Sequence, residues 1–143
     1  MIRFFGPLIT CVIFLSQNAG AVMLTCNGSG TSFDKNLMGD VKNENFDLSG
    51  QVAISPDGDK GVANLSSSKR YFEIYLIEKT KSHYVFQKKS RNRFDFLLTH
   101  TLKIDRMDGS FKLIGEISEN TGGDYKLSVS GTCKDESELK PKF

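Results

Sequence analysis

The chain has 143 residues, of which 38% are hydrophobic and 25% charged, with eleven Phe, four Tyr and no Trp. This is enough apolar material for one domain around one core and too little for several. The formal net charge of +2 excludes any argument from overall charge for a polyanionic or polycationic partner.

In chain order, the first element is a leader. Arg3 supplies a positive start, Phe4 to Leu15 form an apolar stretch broken by Pro7, and Ala19-Gly20-Ala21 is an A-x-A cleavage site. The stretch is about twelve residues, where a membrane-spanning helix needs ~20. Residues 1–21 therefore read as a secretory signal peptide cut after Ala21, with no further span behind it. The residues before Cys11 and Cys26 are Thr10 and Thr25, not the small residue that a lipoprotein anchor needs.

Cleavage leaves Cys26 and Cys133, one near each end of the mature chain. In an exported protein an even pair reads as a disulfide. Two buried thiols or a redox pair are the alternatives, and no C-x-x-C favours the last.

The remaining chain alternates with a period of two, the mark of strands with one buried and one wet face. The pattern runs through Phe46-Asp47-Leu48 to Val52-Ala53-Ile54, then Phe72, Ile74 and Leu76, then Tyr84 and Phe86. It continues through Phe94, Phe96, Leu98, His100, Leu102 and Ile104, and changes parity at Phe111, Leu113 and Ile117 before Tyr125, Leu127 and Val129. Turn chemistry separates the runs at 55–61, 66–68, 105–110 and 120–124. About eight strands follow, near 22–27, 46–54, 61–66, 70–78, 83–89, 94–105, 110–118 and 124–133. Residues 34–45 show no clear period and read as an irregular loop or a short helix. Short connections make sequence neighbours antiparallel neighbours in space. The expected fold is all-β, an antiparallel meander closed as a small barrel or stacked as a two-layer sandwich, spanning 22–133. Both cysteines fall on apolar faces of the outermost strands, so a Cys26–Cys133 bridge would join the first strand to the last. Residues 134–143, charged and carrying Pro141, read as a loose tail.

Candidate chemistry is sparse. His100 lies on an apolar strand face, as a core histidine or as a group facing a cavity. His83 sits at a turn. Asp57-Gly58-Asp59-Lys60-Gly61 resembles part of a calcium loop without its later acidic ligands and reads as a turn. No metal, cofactor or catalytic group is expected. Lys69, Arg70, Lys79, Lys81, Lys88, Lys89, Arg91 and Arg93 stand against only Glu73 and Glu78 over 69–93. This local excess reads either as solvated strand edges or as a patch for an anionic envelope component or an acidic protein. Export makes nucleic acid the least favoured partner.

Two resemblances bear on the reading. Ile104-Asp105-Arg106 with Gly109, and Gly131-Thr132-Cys133 near the end, with an early Cys26, resemble small exported β-rich proteins of Gram-negative bacteria. That resemblance implies a periplasmic or secreted β fold and no activity. Ser67-Ser68-Lys69-Arg70-Tyr71 is similar to the Ser-Gly-x-Arg-Tyr loop of periplasmic inhibitors of C-type lysozyme, matching at Ser67, Arg70 and Tyr71, with Ser68 in place of Gly. It implies an inhibitory loop in which Ser67 and Tyr71 would act. The sequence thus reads as an exported, non-catalytic binding or envelope-associated protein. A lysozyme inhibitor and a carrier of a small apolar ligand are the alternatives.

Overall fold

The computed structural model describes residues 20–92, 95–117 and 124–136. Most of the expected leader (1–19), Arg93 and Phe94 of the basic cluster and sixth strand, the turn at 120–123 and the tail from 137 lie outside the described residues. Among the described residues no helix is long and apolar enough to cross a membrane.

Eight strands form one closed antiparallel barrel in chain order: β1 (Val22–Lys35), β2 (Val41–Ile54), β3 (Gly61–Ser66), β4 (Tyr71–Lys79), β5 (His83–Arg91), β6 (Leu97–Asp105), β7 (Ser110–Ile117) and β8 (Asp124–Asp135). The barrel, not the sandwich, is the architecture. The alternation explains it strand by strand: Leu48, Val52 and Ile54 face inward from β2, Phe72 and Ile74 from β4, Leu102 and Ile104 from β6, and Leu127 and Val129 from β8, all buried. Phe86 is the largest fully buried side chain and sits in the same core cluster.

Closure is made by β1 and β8. Cys26 stands directly opposite Cys133 in their ladder, and the two are disulfide-bonded with Cα atoms 4.0 Å apart. A barrel has no free edge strand to recruit other chains.

The sequence reading fails at 34–45, which is neither a helix nor a long loop. β1 runs on to Lys35 and β2 begins at Val41, with a tight turn between them. There the Asn36 carboxamide oxygen accepts the N–H groups of Met38 (2.9 Å) and Asp40 (3.0 Å), and Gly39 takes φ +87°. The period was invisible because the inward positions of this half of the hairpin are Gly28, Gly30, Ser32 and Glu44, not large apolar residues. A Cβ added at Gly30 would fall on the Ser128 carbonyl oxygen of β8, so glycine there permits the close approach of the closing strands. β6 also starts later than expected, at Leu97. Asn92 and Asp95 form a turn in which Asp95 adopts φ +66° and the Asn92 side chain accepts the Phe96 N–H at 3.0 Å. At the other end β8 continues to Asp135, and the Glu136 carboxylate accepts from Gln51 Nε2 at 3.1 Å.

The two ends of the barrel differ. The lower end carries the β2–β3, β4–β5 and β6–β7 connections, and there Asp105, Arg106, Gly109 and Cys133 meet. Asp105 Oδ1 accepts the N–H of Met107 at 2.7 Å, Gly109 turns the chain at φ +77°, and the Cys133 N–H donates to the Gly109 carbonyl at 2.7 Å. Arg106 lies over the Tyr84 ring, 4.9 Å from its centroid, and donates to the Thr80 carbonyl at 2.6 Å. The Asp57 carboxylate is likewise taken up in its own turn, accepting from Ser55 Oγ and the Asp59 N–H. Among the described residues no cluster of three or more metal-ligating side chains occurs.

The bridge constrains a loop with a sequence separation of 107 residues. Replacing both cysteines by alanine is expected to cost roughly 2–5 kcal/mol. Urea unfolding of the double variant should show a lower midpoint with the barrel's circular-dichroism signature retained at zero denaturant. An unchanged midpoint would contradict the role given to closure.

Candidate functional site: the upper mouth of the barrel

The upper end carries the β1–β2, β3–β4 and β5–β6 connections and a cavity of about 530 Å³. Phe72 (β4), Phe96 (before β6), Leu98 (β6) and Ile117 (β7) give it an apolar lining, and Arg70, His100 and Tyr125 give it polar groups. Its volume and mixed lining are those of small-molecule sites, which run from about 300 to 1,000 Å³. A second cavity of about 480 Å³ lies at the lower end, bordered by Arg106, whose guanidinium is already committed to Thr80 and Tyr84.

Each polar group at the upper mouth is placed by the fold. His100 is on the inward face of β6 and only 9% exposed. Directly opposite it in the ladder is Gly115 of β7, where a Cβ would meet the imidazole at 2.8 Å. Glycine at that position makes the room for the ring. His100 Nε2 and the Tyr125 hydroxyl share a hydrogen bond of 2.9 Å. Phe72 also packs against the imidazole, with ring centroids 5.2 Å apart.

Arg70 closes the β3–β4 turn. The Ser67 hydroxyl oxygen accepts the N–H groups of Lys69 (3.4 Å) and Arg70 (3.1 Å), and the Ser67 N–H donates to the Arg70 carbonyl at 2.8 Å. The Arg70 side chain then crosses to β1, where Nη2 donates to the buried Ser32 hydroxyl at 3.0 Å, and its guanidinium lies 5.6 Å from the centroid of the Phe46 ring. Among the described residues the ion pairs join Lys42 to Glu44, His83 to Asp105 and Arg91 to Asp95. None of them involves Arg70.

These surroundings set the protonation of the mouth. Burial, with the positive charges of Arg70 and Lys88, lowers the His100 pKa to about 4. The imidazole is therefore neutral at pH 7. Burial raises the Tyr125 pKa, opposed by Arg70, so the phenol keeps its proton. The mouth presents one fixed cation, Arg70, beside a neutral imidazole–phenol pair.

The residues singled out in sequence are distributed by the antiparallel order. Lys69 and Arg70 are at the upper end, joined there by Lys88, Lys89 and Arg91 near the end of β5. Lys79 and Lys81 stand at the lower end, so the basic cluster is not one surface. Arg91 is engaged by Asp95, through its carboxylate at 3.7 Å and its carbonyl at 3.0 Å. The β4–β5 ladder reaches only to Tyr75↔Gln87 on its upper side. Lys88 stands just beyond it, its ammonium 6.0 Å from the Tyr75 ring centroid. Ser67 is absorbed by the turn it caps. Tyr71 is 64% exposed on the outer wall, and its hydroxyl donates to Asn64 Oδ1 at 2.8 Å. The Tyr75 hydroxyl bonds the Glu73 carboxylate beside it. Cys26 and Cys133 form the bridge described above. What sequence reasoning missed is the pairing of His100 with Tyr125 and the separation of Lys79 and Lys81 from the cations at the upper end. Gly115, a gap in an otherwise large apolar series, is the signal that marked the first.

No protein-family model, curated protein or solved structure matches the chain.

His100 also fixes a pH dependence. Its pKa is near 4 when folded, against an ordinary 6.5. Above the higher value both states are neutral and the group contributes nothing. As pH falls below it, the unfolded chain takes up a proton that the folded chain refuses, and stability drops until about pH 4. The loss is on the order of 3 kcal/mol. The His100→Gln variant should lose that much less between pH 7.5 and 4 in urea unfolding, with the carboxylate contribution common to both proteins. Parallel pH profiles would contradict the burial of a neutral imidazole.

Proposed function

We propose that this chain is an exported, non-catalytic binding protein whose ligand site is the upper mouth of its barrel. The observation that carries the reading is the convergence of Arg70, His100 and Tyr125 on one cavity with an apolar lining. Sites for small molecules combine such a lining with a few oriented polar groups. The core beneath is filled by side chains, so the ligand is held at the mouth and not deep within the barrel. His100 has its Nε2 engaged by a phenol, a contact that orients the ring. That arrangement favours holding a ligand over activating a nucleophile.

The disulfide supports the cellular side of the reading, because such bridges persist in oxidising compartments. With the signal-like segment at 1–21, it supports a periplasmic or secreted working protein. Of the ligand-carrier and lysozyme-inhibitor alternatives, the mouth favours the carrier.

Native mass spectrometry of the protein purified from its own cell envelope tests this. The expected spectrum has a mass beginning at Val22, two hydrogens short for the bridge, with an added small molecule. A Leu98→Trp variant, whose indole fills the mouth, should retain the bridge and lose the adduct. Wild type free of any adduct, or an adduct that survives the substitution, would count against the mouth as the site.

A further inference from the structure

We infer that the ligand of the upper mouth is an organic anion with an apolar body, a monocarboxylate in charge type, and that Arg70 is the residue that recognises its anionic group. This inference rests on the reading of the mouth as a ligand site and adds the chemistry of what enters it.

Arg70 is the first ground. A guanidinium has five N–H donors, and Ser32 accepts from one of them at 3.0 Å. Among the described residues no carboxylate lies within ion-pair distance of it. The chain nevertheless holds this cation in place from three directions: the Ser67-capped turn fixes its backbone, Ser32 accepts from Nη2, and the Phe46 ring centroid lies 5.6 Å from the guanidinium carbon. An arginine held in this way and left without a counter-ion is suited to a planar anion, which it can bind with two parallel hydrogen bonds.

The electrostatics of the mouth agree. The charges of Arg70 and Lys88 both act on His100, with Lys35 also in the lining, while Asp34 acts on Tyr125. The acidic groups in the lining, Asp34 and Asp124, are at the ends of β1 and β8 and are less buried than the imidazole and phenol. Beside Arg70, the Tyr125 hydroxyl can donate to a second oxygen when His100 Nε2–H is the donor within the pair.

The rest of the lining selects the body of the molecule. Phe72, Phe96, Leu98 and Ile117 offer no charge and reward burial of hydrocarbon at roughly 25 cal/mol per Å². A neutral hydrocarbon ligand would desolvate Arg70 without pairing it, which is costly. A cationic amphiphile would be repelled by Arg70 and Lys88. An anion with an apolar body satisfies both parts of the site.

Isothermal titration calorimetry with octanoate, octanol and octyltrimethylammonium tests the inference, since the three share a chain and differ in head charge. Wild type should bind octanoate at least tenfold more tightly than either of the others. Arg70→Gln should weaken octanoate at least tenfold and leave octanol unchanged, while Arg70→Lys retains part of the preference. Retention of the thermal unfolding midpoint in Arg70→Lys guards against a folding defect. Equal binding of octanoate and octanol by wild type, or octanoate binding indifferent to Arg70→Gln, would overturn the anion inference. The mouth would still stand as the site if Leu98→Trp abolished both. Octanoate binding that survives Leu98→Trp would overturn the site itself, and failure of all three probes to bind would overturn the inference.

Discussion

The structure depends on the pairing of its first strand with its last. β1 is bonded to β2 on one side and to β8 on the other along most of its length, and the Cys26–Cys133 bridge ties the two ends of the chain at directly opposed positions. Remove that pairing and the meander becomes an open sheet with two long edges. The small inward residues of β1 serve the same end. Gly28 and Gly30 let β8 approach where a side chain would strike the Ser130 and Ser128 carbonyl oxygens. Closure therefore acts at two levels: covalent linkage limits the unfolded ensemble, and missing side chains permit the close ladder in the folded state.

Closure also gives the barrel its polarity. At the lower end the 105–109 hairpin folds against β8, and Arg106 is bonded to a backbone carbonyl and laid over Tyr84. At the upper end Arg70 donates to the Ser32 hydroxyl, and among the described residues no carboxylate lies within ion-pair distance of it. One cation is built into the framework and the other borders a cavity. His100 beneath it is neutral chiefly because it is buried, with the charges of Arg70 and Lys88 adding to the effect.

Much of this was legible in the residues. The alternation of Phe46 to Ile54, of Phe72 to Leu76 and of Phe111 to Ile117 marks strands because large apolar groups occupy most inward positions, with Gly50 and Gly115 as the gaps. The upper half of the first hairpin was not legible, since Gly28, Gly30, Ser32 and Glu44 face inward there and carry no hydrophobic period. The cysteine pairing was readable from parity and from the places of the two residues in the chain. The site was only half readable. His100 on an apolar face is visible in one strand, but its contact with Tyr125 depends on the register of β6, β7 and β8 together. The basic cluster appears continuous in sequence and separates in space because β4 and β5 run in opposite directions, carrying Lys79 and Lys81 away from Arg70 and Lys88.

The central claim is that the upper mouth is where this protein binds. The most direct measurement is an amide NMR titration of the disulfide-bonded mature protein with octanoate. The account predicts saturable shifts centred on Ser32, Arg70, Phe72, Leu98, His100 and Tyr125, with the signals of Arg106 and Lys134 at the lower end unmoved. Shifts concentrated at the lower end or along the outer wall near Glu73 and Tyr75, with His100 and Tyr125 unaffected, would contradict it.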